Sequence, residues 1–253
     1  GMEQKPFAMG LRIEHRQGDI NLAQYKAPGP EKLLGAADYR LSYTTSEGRG
    51  VYTFCMCPGG SVVAASSEEG GVVTNGMSLH ARNGENANSA VLVQVYPEDF
   101  ESPHPLAGIY MQKSLEEKAF LAGGKSYAAP AQTAGSFLGT GENSPSLVSP
   151  TYRPGVVFTD LNDILPGFIS RALKEALPQM GKSLKGFDIE SAVLTGVETR
   201  SSCPVRIIRD SLGQSNIRGL YPAGEGSGYS GGIVSSAVDG VIQAENVWKN
   251  NVK

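Results

Sequence analysis

The chain reads as an α+β protein, and three observations predict that class. Strand signals crowd its first part, helical periodicity occupies its middle, and two more strands lead into a strand, a glycine turn and one long terminal helix. Segregation of this kind predicts an antiparallel sheet or small barrel with a helical part beside it. A final βα piece follows.

Taking the elements in order, residues 6–15 alternate loosely as Phe7, Met9, Leu11 and Ile13, a strand signal that begins almost at once. Residues 19–35 read as a short polar helix and a Pro-Gly-Pro loop. Four strand signals follow at residues 39–45, 51–56, 61–65 and 90–96, with a weaker one at 72–74. The Ser-Glu-Gly-Arg-Gly, Pro-Gly-Gly and Glu-Glu-Gly-Gly stretches between them are short enough for antiparallel hairpins. Ser114-Leu-Glu-Glu117 has the form of a capping box opening a helix whose first face is Leu115, Ala119 and Ala122. A second helix over 125–138 would be broken by Pro130, and residues 139–154 form a Gly/Ser/Pro loop. Pro166 suits a helix first turn; Ile169, Ala172, Leu173 and Ala176 keep its period until Pro178 stops it. Strands at 191–199 and 205–209 then lead to the end.

That end, residues 217–251, is the stretch around which the rest is arranged. A buried strand at 219–224 precedes the turn Glu225-Gly-Ser-Gly-Tyr-Ser-Gly-Gly232 and a helix from Ile233. Ile233, Ala237, Val241, Ala244 and Trp248, flanked by Val234, Val238 and Ile242, predict a helix buried over most of its circumference. A glycine turn at a helix start lets a ligand reach main-chain N–H groups, where the helix dipole favours negative charge. Gly226, Gly228 and Gly231 satisfy G-x-G-x-x-G, but that fingerprint belongs to a first strand–helix unit with a further strand and ribose-binding acid after it. Here the chain ends with the helix.

Composition narrows the function classes. A net charge of −3 without a basic run argues against nucleic acid and anionic membrane as partners. No apolar run approaches the ~20 residues that span a bilayer. Three cysteines, an odd number, argue against a disulfide framework and for a reducing, cytoplasmic setting.

Gly219-Leu-Tyr-Pro-Ala-Gly-Glu225, Gly228-Tyr-Ser-Gly-Gly-Ile233 and Ala237-Val-Asp-Gly240 together resemble the C-terminal flavin motif of the two-dinucleotide-binding-domain flavoproteins. The nearest likeness is to uncharacterised bacterial FAD-dependent dehydrogenases. It extends through Val197-Glu-Thr-Arg200, Cys203-Pro-Val-Arg206, Phe54-Cys-Met-Cys-Pro-Gly-Gly60 and Asn75-Gly-Met-Ser78. The resemblance implies that Glu225, after Gly224, binds the ribityl hydroxyls of FAD. Gly228, Gly231, Gly232 and Ile233 would complete that site, with the helix start facing the flavin pyrimidine. It implies hydride transfer to flavin N5 from a small-molecule substrate, with NAD(P)H a candidate electron partner. It also implies an ADP-binding segment N-terminal to this chain. Gly1 before Met2 reads as a tag remnant, so the chain is expected to be a C-terminal fragment, inactive alone. Residues 1–14 and 191–253 would be pieces of the Rossmann-like FAD-binding domain, and 15–190 a substrate or cap domain.

Each candidate has a plainer reading. Glu225 also suits a helix-entry carboxylate, and the glycines suit close packing. Arg200, the catalytic candidate, would pair with a carboxylate substrate or hold negative charge on the reduced flavin; otherwise it is a surface ion pair. Cys55 and Cys57 share one strand face, but two thiolates make only half a zinc site and the spacing is not Cys-x-x-Cys, so structural thiols are the better reading. His80 is the best placed of the three histidines for proton transfer. The rival to a flavoenzyme is a non-catalytic binding or assembly module whose glycine turn is structural.

Overall fold

The structure, a computed structural model, describes residues 1–144 and 147–251, the last of these by its backbone alone. Pro145 and Ser146 of the predicted 139–154 loop lie outside the described residues. In chain order the elements are β1 (Met2–Gln4), β2 (Phe7–Arg16), α1 (Gln17–Tyr25), α2 (Glu31–Leu34), β3 (Ser42–Thr44), β4 (Gly50–Cys57), β5 (Gly60–Ala64), β6 (Thr74–Ser78), β7 (Asn86–Val95), α3 (Ala107–Ala122), β8 (Ala129–Thr133), α4 (Ala134–Leu138), β9 (Val156–Phe158), α5 (Gly167–Ser183), β10 (Val193–Glu198), β11 (Val205–Ile207) and α6 (Ile233–Asn251). The α+β class holds.

The chain divides into two compact units, one of residues 9–94 and 114–199, the other of residues 1–8, 95–113 and 200–253. The first unit contains most of a seven-stranded sheet of order β3-β4-β7-β2-β10-β8-β9. It is an open sheet and not the barrel the sequence allowed. Pairing is antiparallel for β3–β4, β4–β7, β2–β10 and β8–β10, while β8 and β9 run parallel. A separate hairpin joins β5 and β6.

At the centre of the sheet β2 is covered on both faces, and every residue from Phe7 to His15 is buried. The alternation of Phe7, Met9, Leu11 and Ile13 therefore describes one buried face. The other carries Ala8, Gly10, Arg12 and Glu14. Gly10 is obligatory there, because a methyl group on it would stand 2.0 Å from the Val91 carbonyl oxygen of β7. Against the sheet, α5 packs on β3 and β4 through a stripe that includes Ile169, Leu173, Ala176 and Leu177.

Several element predictions need correction. Pro178 sits inside α5 and does not stop it, because burial of Leu177 and Met180 outweighs the ~3 kcal/mol cost of an interior proline. Ser114-Leu-Glu-Glu117 is interior to α3, which opens at Ala107, so neither Ser114 nor Glu117 stands at a helix start; the neighbouring Glu116 carboxylate accepts from Thr199 Oγ1 at 2.6 Å. Residues 125–138 form β8 and the short α4, since pairing with β10 and β9 overrides the helix preference of Ala129 and Ala131. In the second unit β1 and β11 pair. The strand predicted at 219–224 is irregular, because Pro222 lacks an N–H and no described strand lies alongside. The helix α6 forms as predicted. Its burial does not: Ile233 is 91% and Trp248 69% exposed, and Gln243 is its buried residue.

Candidate functional site

The glycine turn of the second unit is held by a polar clamp built around Asp239 of α6. Asp239 accepts from the Gly224 N–H at 2.8 Å and from both terminal nitrogens of Arg209, at 2.6 and 3.0 Å. The Arg209 hydrogen bonds, followed by the Gly224 N–H, hold the Asp239 carboxyl below the usual carboxylate range despite its partial burial. The same guanidinium donates to the Pro222 carbonyl at 2.8 Å and stacks 3.5 Å from the centroid of Tyr229. Tyr229 in turn donates its hydroxyl to the Ile207 carbonyl at 3.0 Å. One side chain of α6 therefore fixes both ends of the turn that carries Glu225.

Within that turn, Gly224 (φ +70°) and Gly228 (φ +86°) occupy the left-handed region. Gly228 also passes close to β11: a Cβ there would lie 2.3 Å from the Val205 carbonyl oxygen. Around Gly226 there is open space to 4 Å, and beside Gly231 the nearest atom to an added methyl is Ser202 Cβ at 3.8 Å. Glu225 is exposed, and its charge acts on Lys5 of the same unit. The first helical bond of α6 runs from Ser236 N–H to Gly232. The N–H groups of Ile233 and its neighbours thus belong to the first turn, which has no intrahelical acceptors.

Arg200 is exposed and follows directly on β10. Ser201 donates to the Ala8 carbonyl at 2.6 Å, and Ser202 stands against Gly231. The structure thus brings the Arg200-Ser-Ser202 segment beside the glycine turn, two predicted stretches far apart in sequence. His80 lies in the other unit and shares a surface cleft with Arg82.

A second cluster, in the first unit, escapes the sequence. Arg12, fully buried on β2, donates from Nη1 to both Glu198 oxygens at 3.0 Å and from Nε to Asn88 Oδ1 at 2.9 Å. Its Nη2 donates to the Cys55 carbonyl at 2.5 Å and lies 3.5 Å from Cys57 Sγ. Glycine at position 76 leaves room for this guanidinium, since a Cβ there would come within 2.0 Å of Nη2. Burial pushes the Glu198 carboxyl up to about 7 against the pull of Arg12. A hydrogen bond from Cys55, then contact with Arg12, brings the Cys57 thiol down to about 6. A charged residue at the centre of a two-sided buried strand was the available signal, because such a charge must be paired.

Among the described residues no group of three or more His, Cys, Asp or Glu side chains forms a metal site, and no helix is long and apolar enough to cross a membrane.

The chain is 50% identical over 249 residues to an uncharacterised protein of Clostridium beijerinckii, covering 97% of this chain and 47% of that protein. It therefore spans about half the length of this relative. Residues 6–201 match the family described as FAD-dependent protein, C-terminal domain-like, a stretch that holds the whole seven-stranded sheet and stops short of the glycine turn. The chain belongs to the FAD-dependent protein, C-terminal domain-like family.

Proposed function

We propose that this chain is the substrate-binding and flavin-facing part of an FAD-dependent oxidoreductase, acting with an ADP-binding segment of the same protein. The observation that carries the reading is the Asp239 clamp, which presents Glu225 and open glycines at the start of a nineteen-residue helix.

The residues present fit the ribityl and pyrimidine part of FAD. A carboxylate accepts hydrogen bonds from hydroxyls and repels phosphate, so Glu225 suits the sugar chain and not the pyrophosphate. At Gly226 an added methyl would meet nothing within 4 Å and at Gly231 only Ser202 Cβ at 3.8 Å, so the backbone there is open to a ligand's approach. When bound, FAD would supply two-electron, hydride-accepting chemistry toward a substrate. The chain's own part is positional and electrostatic. Gly231, Gly232 and Ile233 direct N–H groups and the helix dipole at an electron-rich edge. Arg200, two residues from Ser202 and hence close to Gly231, would bind a carboxylate of the substrate or hold negative charge at the same edge. NAD(P)H enters as electron partner only if the ADP-binding segment accepts it.

The apolar face of α6 supplies the docking surface for that segment. Ile233, Val234, Val238, Val241 and Ile242 line an exposed groove with no polar lining. A contiguous apolar stripe facing water is the kind of surface a partner segment covers.

The test is flavin content of the chain extended N-terminally to the length of its relative. A yellow protein in which Glu225→Ala weakens flavin binding roughly 10–100-fold, the worth of one charge-assisted hydrogen bond, supports the reading. Full flavin retention in Glu225→Ala removes that residue from the site. A folded, colourless extended protein overturns the flavin reading altogether, and a binding or assembly module replaces it.

A further inference from the structure

We propose that Cys55 and Cys57 are a redox-active dithiol, with Cys55 the outward thiol that meets a low-molecular-weight disulfide and Cys57 the buried thiol that closes the intramolecular bond. Sequence spacing alone favoured structural thiols for this pair. The geometry of β4 argues otherwise.

Pairing between β4 and β7 shifts register between Phe54 and Cys57, and Cys55 inside that irregularity adopts φ +43°. The shift turns Cys55 to the exterior while Cys57 stays buried, its thiol donating to the Cys55 carbonyl at 3.3 Å. Regular strand geometry would put residues i and i+2 about 6.6 Å apart, the far limit of the ~4.4–6.8 Å that a disulfide spans. A bulge brings such a pair closer. A left-handed backbone at a residue with a side chain is costly, so the bulge persists only because its surroundings hold it. Arg12 is what holds it: one guanidinium nitrogen binds the Cys55 carbonyl at 2.5 Å and lies 3.5 Å from Cys57 Sγ.

That guanidinium also favours the Cys57 thiolate, the form that reacts. Glu198 competes for the same cation, and the neighbouring Cys57 pushes the Cys55 thiol up, so deprotonation of Cys55 limits the first step. Solvent base takes the Cys55 proton, and the Cys55 thiolate attacks one sulfur of an external disulfide RSSR, forming Cys55–S–S–R and releasing RS⁻. The Cys57 thiolate, held by Arg12, then attacks Cys55 Sγ and expels the second RS⁻. The dithiol has lost two electrons and RSSR has gained them. A disulfide across so short a ring belongs to the readily reduced class, so the reverse exchange with thiols reopens it.

The test equilibrates this chain in glutathione buffers of rising oxidised-to-reduced ratio, quenches in acid, alkylates, and digests with trypsin. Cys55 and Cys57 share the peptide of residues 50–82, while Cys203 falls in residues 201–206. The expected result is a 50–82 peptide lighter by two hydrogens and unalkylated, at ratios where the Cys203 peptide is still fully alkylated. In Cys57→Ser the reaction stops at a glutathione adduct on Cys55, and in Cys55→Ser adduct formation on the remaining Cys57 slows at least tenfold. Oxidation of Cys203 at the same ratio as the pair, or a wild-type 50–82 peptide carrying glutathione without the internal bond, overturns the proposal.

Discussion

His15 is buried, its Nε2 2.7 Å from the Phe187 carbonyl oxygen, and burial lowers its imidazole to about 4. The unfolded chain takes up the proton near 6.5 and the folded chain only near 4, so between those values the unfolded state binds more protons. Stability contributed by the neutral ring is therefore complete above about 6.5 and is lost as pH falls towards 4, a change of about 3 kcal/mol. Urea melts of wild type and His15→Gln over this window should show the wild type alone losing that increment. Parallel curves would mean that His15 takes up its proton in the fold at the same pH as in the unfolded chain. Gly228→Ala tests the turn directly: φ +86° and a 2.3 Å approach to the Val205 carbonyl predict a loss of about 1–3 kcal/mol, read as earlier melting of the turn by tyrosine fluorescence at Tyr229. At this scale the sequence was readable wherever a residue's role was local. The turn over residues 225–232 was found from its glycine motif, and Gly228 holds φ +86° in it. Arg12 was not, because its partners Asn88, Cys57 and Glu198 come from three other strands, and only the sheet order assembles them.

Among the elements, α6 separates pattern from environment. Its periodicity predicted both a helix and a buried one; the helix follows from local spacing, whereas burial depends on what lies opposite. In this chain the apolar side faces water. Self-association through that side follows, and Val238→Lys with Ile242→Lys should abolish it while leaving helix content unchanged. Sedimentation velocity across a concentration series, with circular dichroism alongside, checks both halves. A wild type that remains monomeric at high concentration would rule out self-association through this face and leave it to the ADP-binding segment alone. The opposite error occurred at β8, where alanines and a proline read as helix and then break. Strand pairing on both sides decided that element, and no window of sequence contains both neighbours. In α5 the sequence found the right face and the wrong end, since Met180 extends the stripe past Pro178.

For the molecule as a whole, the division into two units predicts uneven opening. The first unit has a sheet whose central strands β2, β7 and β10 are almost entirely buried, whereas α6 of the second is mostly exposed. Amide hydrogen exchange should accordingly be slowest in β2, β7 and β10 and faster in α6 by at least about 100-fold, a difference of ~3 kcal/mol in opening free energy. Equal protection across both would contradict the division. The α+β class was legible because it rests on element order. Closure of the sheet was not, because a barrel and an open sheet of hairpins share the same local signals. That openness shapes how the chain behaves in bulk. The sheet ends in β3 and β9, each three residues long, so it offers a neighbouring molecule almost no free ladder to extend. Clumping of this protein should then be amorphous and reversible by mild detergent, with its stickiness seated on a helix, and fibres that seed their own growth are not expected.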